Sequence, residues 1–348
     1  NILLDPVKAR EPSAPLIHPE VMSYKGLPEK LAAPSNEFIY KTWKKGDISV
    51  GFKQAELIVE NTFATKTVHH AYLEPHSCVV QANESGGAEI WSCSKVPYAI
   101  REQVANAIRI PPEKLVIHPV YIGGDFGGKG DFMDIAVCYF LSRKSGRPVK
   151  MIMDYSEEFL AGNPRHASII KVKTGVKKDG TLVAHHMEFI FDSGAYGAFK
   201  PNGFLNGPHL SAGPYKSPHV FIEEHMVYTN KVPCGHMRAP GDPQGFFANE
   251  SQLDLVARKL GMEPAEFRKK NLMRDGDVDP VGEKIDYIKA EDTLKKALEE
   301  AGYNKPKPKN VGRGIAMIQW LTNSGQGSVA LEIDEQGAIT LASAMLDQ

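Results

Sequence analysis

Hydrophobic and polar residues alternate in several short stretches of the chain, which predicts strands. Residues 55–63 have the two-residue period of a half-buried strand, and a second strand follows Pro75 and ends near residue 81. Further strands are predicted over 86–94, 114–124 and 149–155. Residues 167–194 predict a hairpin whose turn is the Lys-Lys-Asp-Gly segment 177–180.

Helical periodicity occurs between these strands. Ile100, Val104 and Ile108 recur at four-residue spacing within a helix predicted over 96–110. A helix over 131–146 has Asp131 as its predicted N-cap and Gly146 just past its end. Three more helices are predicted over 248–262, 264–272 and 292–303. The mixture of hairpins, crossing strands and helices predicts an α+β fold with mixed sheets.

Shifts in composition divide the chain into three segments. Residues 1–45 are rich in Pro and Lys and predict an extended linker that lies on another surface. Residues 46–310 predict one large domain that ends in a Lys/Pro-rich joint. Residues 311–348 are again strand-like and predict the start of a second domain. The first residue, Asn1, and the strand-like final segment suggest a fragment or one part of a split subunit.

Composition narrows the class of protein. The chain has 348 residues, 42% hydrophobic and 24% charged, which is ordinary for a globular protein. A net charge of −1 does not favour binding to nucleic acid or to a membrane surface. The four cysteines are far apart, which excludes zinc-finger and iron–sulfur spacings and predicts buried thiols. With no signal peptide and no long apolar run, the predicted location is the cytoplasm.

The glycine-rich stretch VYIGGDFGGKGDF, residues 120–132, lies between a predicted strand and a predicted helix. It is not a mononucleotide phosphate loop, because its glycine pairs are too close and Lys129 is followed by Gly130. Nor does it contain the GxGxxG pattern of dinucleotide-binding proteins. Two interpretations remain: a plain turn that needs positive φ, or a backbone cage whose N–H groups face a ligand beside Phe126.

Three other stretches likewise allow both a structural and a ligand-binding interpretation. Glu74 lies in HHAYLEPHS. Its carboxylate is either satisfied by backbone N–H groups in a turn or is part of a ligand-binding site. DSGAYGAF, residues 192–199, suits a packed strand end as well as a ligand-facing turn. Arg238 lies in RAPGDPQ before a predicted helix. It is either a surface residue or a residue whose guanidinium N–H groups donate hydrogen bonds to an oxygen-rich ligand.

Taken together, four motifs of the chain resemble those of the large subunit of the molybdenum hydroxylases. They are LEPH at 73–76, GGDFGGK at 123–129, DSGAYGAF at 192–199 and RAPGDPQ at 238–244. This family includes xanthine dehydrogenase, aldehyde oxidoreductase and nicotinate dehydrogenase. The resemblance implies that 46–310 is a first molybdopterin-binding domain and that 311–348 begins a second. It also implies that the metal is carried by the pterin, so that no protein residue ligates it.

The resemblance assigns cofactor binding to a short set of residues. The glycine stretch would wrap its backbone around the metal ligands, and the arginine would hold the pterin. Departures from the family pattern are Lys95 in place of a glutamine, Asp125 in place of a glycine, and Gly130 in place of a substrate-binding glutamate. Ala239 stands where carbon monoxide dehydrogenases have a copper-binding cysteine. The implied cofactor-binding residues are Lys95, Gly124, Asp125, Phe126, Gly127, Gly128 and Arg238.

The implied activity is oxidation of an aldehyde or an N-heteroaromatic ring with water as the oxygen source. Electrons would pass to 2Fe-2S clusters and FAD on partner subunits, and the pterin would carry a cytosine nucleotide. The family's catalytic glutamate and its GQG motif do not occur at their expected places here, so both are expected in a missing C-terminal half or on a second molybdopterin-binding subunit. The alternative is a scaffold subunit without molybdenum, which the charged residues Lys95 and Asp125 favour.

Overall fold

The computed structural model describes residues 2–24, 27, 31–198, 204–320 and 327–343. The strands are β1 (Glu37–Lys45), β2 (Leu57–Thr65), β3 (Ser77–Ala82), β4 (Ala88–Ser92), β5 (Leu115–Pro119), β6 (Val149–Ile152), β7 (Ala167–Val176), β8 (Leu182–Gly194), β9 (Val220–Tyr228), β10 (Val329–Ile333) and β11 (Ile339–Ser343). The α-helices are α1 (Pro6–Ala9), α2 (Ile48–Gln54), α3 (Pro97–Ile108), α4 (Ile135–Ser145), α5 (Tyr155–Ala161), α6 (Gly207–Leu210), α7 (Asp242–Leu260), α8 (Pro264–Asn271) and α9 (Ala290–Glu300).

The chain forms two compact units. The first comprises Asn1–His69 and Asn163–Gln319, and the second comprises His70–Gly162 and Trp320–Gln348. The chain thus leaves the first unit near residue 69 and returns to it near residue 163. These units do not coincide with the segments predicted from composition, whose boundaries at residues 45 and 310 stay predictions of domain extent.

The first unit is built on a five-stranded sheet in the order β1-β9-β8-β7-β2. β8 and β9 are parallel, and the other neighbours are antiparallel. Phe189, Phe191 and Ile222 form part of its buried core. β1 pairs with β9 from residue 37 onward, so the final part of the predicted linker is a strand of this sheet. Composition did not reveal this because the partner strand is far away in the sequence.

The second unit is built on a four-stranded sheet in the order β5-β4-β3-β6, with β4 and β5 parallel. Ile100 and Val104 of α3 and Cys138 and Tyr139 of α4 belong to its buried core. The hairpin of β10 and β11 is antiparallel. Both units combine helices with mixed sheets, so the predicted α+β class is confirmed.

Three local predictions differ from the structure. α4 begins at Ile135, and Asp131 is not its N-cap, because Met133 has a φ of +40° that no α-helix accommodates. α7 begins six residues before the predicted start, since Pro243 suits the first turn of a helix. Residues 312–320, predicted as strand, have no regular structure, and Met317 donates its N–H to the Glu250 carboxylate instead of to a strand.

Two global predictions concern burial and membranes. All four cysteines are buried, as predicted. Among the residues that the structure describes, every helix is too short or too polar to cross a bilayer. Phe199, the last residue of DSGAYGAF, and residues 344–348 of the strand-like end lie outside the described residues.

Candidate cofactor-binding site

The glycine-rich stretch joins β5 to α4 within the second unit. Gly124 and Gly127 have φ angles of +98° and +102°, which glycine adopts at little cost. Phe126 has a φ of +51°, a conformation that side-chain-bearing residues adopt rarely. The stretch is therefore a tight turn whose shape depends on glycine on both sides of Phe126.

The segment that contains LEPH lies directly behind this turn. A Cβ added to Gly123 would lie 2.5 Å from Cβ of Glu74. A Cβ added to Gly128 would lie 2.8 Å from Nδ1 of His70 and 2.9 Å from Cε1 of Tyr72. These distances are shorter than van der Waals contact, so the two glycines permit a backbone approach that no other residue allows.

Replacing Gly128 by Ala is therefore expected to destabilise the second unit by about 1–3 kcal/mol, the usual cost of overpacking. The expected measurement is a lower midpoint of thermal unfolding for the purified protein. Gly314→Ala is the matched control, because no atom lies within 4 Å of a Cβ added there. An equal change in both variants would contradict the close approach.

Asp125 directs its carboxylate back onto the turn. Its Oδ2 accepts the N–H of Lys129 at 3.1 Å, and its Oδ1 accepts the N–H of Gly127. Nζ of Lys95 lies 3.0 Å from the same Oδ1, and the Asp125 side chain is only 2% exposed. The two residues named above as departures from the family pattern thus form an ion pair with each other.

The backbone N–H groups of the turn divide into two sets. Those of Gly127, Gly128 and Lys129 donate to Asp125, either to its side chain or to its carbonyl oxygen. Those of Gly124, Asp125 and Phe126 donate to no residue in the described part of the chain. The second set is available to a ligand, whereas Gly127 and Gly128 use their N–H groups to shape the turn.

A second ion pair supports the turn from the other side. Oε2 of Glu74 accepts the N–H of Gly123 at 2.8 Å and lies 2.7 Å from Nζ of Lys129, whose side chain is fully buried. Nζ of Lys129 also lies 4.7 Å from the ring centroid of Tyr72. Glu74 is thus a turn carboxylate with a backbone partner, as one interpretation of the sequence predicted. Sequence reasoning missed its ammonium partner, although a lysine directly after two glycine pairs was a visible signal.

Arg238 belongs to the first unit, in the loop before α7. Its side chain is exposed, and its carbonyl oxygen accepts Nη2 of Arg165 at 2.6 Å. Nη1 of Arg165 donates to the carbonyl oxygen of Ala239 at 2.9 Å. Arg165, which sequence reasoning missed, therefore fixes the backbone of this loop and leaves the Arg238 guanidinium accessible.

Asp242, in the same motif, is the first residue of α7 and is 5% exposed. Burial raises the pKa of its carboxyl to about 6, although its own backbone N–H and the charge of Arg165 oppose the shift. Its Oδ1 has no hydrogen-bond partner among the described residues. The ionised form of Asp242 therefore lowers the free energy of unfolding.

Replacing Asp242 by Asn is expected to stabilise the protein at pH 7 and to have little effect at pH 4. The folded-state pKa is higher than the ordinary value, so the cost is complete above about pH 6 and disappears as the pH falls below the unfolded value. A shift of the pKa from 3.8 to about 6 corresponds to about 3 kcal/mol. Denaturant unfolding at both pH values measures it, and an equal gain at both would contradict this cause.

Comparison with known proteins identifies the family of the chain. Residues 31–272 match the family model described as the molybdopterin cofactor-binding domain. The chain is 32% identical to the nicotinate dehydrogenase large molybdopterin subunit of Eubacterium barkeri, over 75% of this chain and 62% of that protein. It is 29% identical to the xanthine dehydrogenase molybdenum-binding subunit of Escherichia coli O157:H7, over 84% of this chain and 40% of that protein.

A solved structure of aldehyde oxidoreductase from Desulfovibrio gigas superposes with a TM-score of 0.80 at 26% identity, covering 98% of this chain and 37% of that one. The chain spans less than two thirds of the length of each of these three proteins. The family match covers more than half of the chain. The chain therefore belongs to the molybdopterin cofactor-binding domain family.

Proposed function

We propose that this chain is the molybdopterin-binding part of a molybdenum-dependent hydroxylase or dehydrogenase that oxidises an aldehyde or an N-heteroaromatic ring. The observation that carries the proposal is the turn at 123–129. It keeps three consecutive N–H groups, those of Gly124, Asp125 and Phe126, without a partner among the described residues, while two ion pairs hold its shape. N–H groups fixed in this way bind the electron-rich oxygen or sulfur ligands of a metal.

The residues present fit such a cofactor. Gly123 and Gly128 remove the side chains that would hold the turn away from the segment behind it. The carboxylate of Asp125 is neutralised by Lys95, so it does not repel an anionic group near the turn. When bound, a molybdenum–pterin cofactor supplies two-electron redox chemistry with water as the oxygen source. This chain's own part in the second unit is to bind and orient the cofactor through the turn. The assignment of pterin binding to Arg238, in the first unit, stays a prediction from the family resemblance.

The rival proposal, a scaffold subunit without molybdenum, drew its support from the charges of Lys95 and Asp125. Their pairing weakens that support, because together they add no net charge to the turn. Gly130, where purine-oxidising relatives have a glutamate, favours a substrate other than xanthine. Partners are proposed to be a 2Fe-2S subunit and an FAD subunit in the cytoplasm.

An exposed apolar face supports a further molybdopterin-binding part, either a missing C-terminal half or a second subunit. Leu331 faces Leu341 and Ile333 faces Ile339 across the β10–β11 hairpin, and Val329 shares their side of it. All five are 58–66% exposed. A two-stranded hairpin is marginally stable alone, so this face needs a covering surface. The proposed catalytic glutamate would be contributed by that C-terminal half or second subunit.

Oxidation in labelled water tests the proposed reaction. The native complex is incubated with a panel of aldehydes and N-heteroaromatic compounds in ¹⁸O-water, and the products are analysed by mass spectrometry. Incorporation of one ¹⁸O atom into a hydroxylated N-heteroaromatic ring is expected; the ring substrates decide the test, because an aldehyde also exchanges its carbonyl oxygen with water. Oxidation without label would contradict water as the oxygen source. Release of CMP on acid hydrolysis of the extracted cofactor is expected if the pterin carries a cytosine nucleotide.

A further inference from the structure

Glu158, on α5 of the second unit, is a fully buried carboxylate that the proposed cofactor site does not use. Burial raises its pKa, but hydrogen bonds from His76 and Tyr72 outweigh this and hold the value at about 2. Glu158 is therefore an anion at neutral pH. A buried anion is tolerated only when its oxygens accept several hydrogen bonds.

Tyr72 and His76, at the two ends of the segment 72–76, donate hydrogen bonds to Glu158. Oε2 accepts the backbone N–H of His76 at 2.8 Å, and Oε1 accepts Nδ1–H of His76 at 2.8 Å. The hydroxyl of Tyr72 also donates to Oε1. Both carboxylate oxygens thus hold residues at the two ends of the segment 72–76.

A second residue of α5 holds the same segment. The hydroxyl of Tyr155 lies 2.6 Å from the carbonyl oxygen of Leu73 and 2.9 Å from that of Tyr72, and it donates to them. Tyr155 and Glu158 are three residues apart and therefore share one face of the helix. A capping box between Asp154 and Glu157 fixes the start of α5.

The segment 72–76 is in turn the support of the glycine-rich turn. Tyr72 contacts the turn at Gly124 and Gly128, where an added Cβ would lie 2.9 Å from its atoms. Glu74 accepts hydrogen bonds from Gly123 and Lys129. Any shift of the segment therefore displaces the turn.

We propose that α5 is a positioning element for cofactor binding: Tyr155 and Glu158 hold the segment 72–76, and this segment holds the turn whose N–H groups face the cofactor. The inference rests on the proposed function for its consequence in binding. It extends the site to two residues of α5 that belong to none of its sequence motifs.

Hydrogen exchange of the native complex tests the proposal. In Glu158→Gln the side chain keeps its size but loses the charge that accepts three hydrogen bonds. We expect the bonded amides of the turn, those of Gly123, Gly127, Gly128 and Lys129, to exchange at least tenfold faster, while amides of α3 and α4 are unchanged. Tyr155→Phe, which removes only one hydroxyl, is expected to accelerate the same amides by a smaller factor.

Glu157→Gln is the matched control, because it removes a negative charge from the same helix, while the glutamine side-chain oxygen can still accept the N–H of Asp154 and so keep the capping box. Unchanged exchange of the turn in both Glu158→Gln and Tyr155→Phe would overturn the proposal, as would equal acceleration throughout the second unit. If Glu158→Gln does not fold, Tyr155→Phe alone decides. The molybdenum content of the unsubstituted complex is a separate readout, so failure of the proposed function would be recognised independently of the exchange result.

Discussion

Replacing Lys95 by Met is expected to lower the free energy of unfolding by about 3 kcal/mol, because it leaves a buried carboxylate without its counter-charge. Asp125 is 2% exposed, and Lys95 is the ammonium group that lies 3.0 Å from it. The two backbone N–H groups that Asp125 also accepts do not replace a full charge. Chemical denaturation of the purified protein measures the change.

Two further variants make this prediction specific. Lys150→Met removes a positive charge from an exposed position of the same unit and is expected to change stability little. Lys95→Met combined with Asp125→Asn is expected to recover most of the loss, because the buried charge is then absent while one side-chain oxygen still accepts a backbone N–H. Equal losses in the single and double variants would show that the ion pair is not the cause.

The second large effect is expected in the first unit, on replacing Arg268 by Met. The guanidinium of Arg268 is fully buried, and its Nε lies 2.9 Å from Glu250 while its Nη1 lies 2.7 Å from Asp254. Nη2 also donates to the carbonyl oxygen of Glu250 at 3.1 Å. Removing one partner of such a network costs about 3–5 kcal/mol, because Glu250 remains buried without its counter-charge.

Lys269→Met is the matched control for this second prediction. Lys269 is the next residue of α8 and is exposed, so its loss is expected to change stability by less than about 0.5 kcal/mol. The measurement is the denaturant midpoint of each variant. A loss of similar size for Lys269→Met would contradict the assignment of the effect to the buried network.

The parts of the fold that follow local patterns could be predicted from the sequence. β2, the hairpin of β7 and β8, and α3 all have the alternation or four-residue spacing that short-range packing requires. Sheet order was not predictable in this way. β1 pairs with β9, about 180 residues away, and β8 pairs in parallel with β9, and neither contact leaves a local signal.

The candidate site shows the same division. The glycines of the turn were recognisable from the sequence because a tight turn needs positive φ angles, which glycine adopts readily. Lys95 and Asp125 were recognisable as charged departures from the family pattern, and the structure shows that they pair. Arg165 and Glu158 were missed because their partners lie more than 70 residues away in the sequence. An ordinary arginine or glutamate becomes informative only when the fold shows what it holds.

The most direct test of molybdopterin binding is metal and pterin analysis of the native complex. We expect one molybdenum atom and one organic pterin for each copy of this chain. We also expect a treatment that removes the metal from the complex to remove the pterin with it. A fully assembled complex that contains neither would contradict the account and would favour the scaffold alternative.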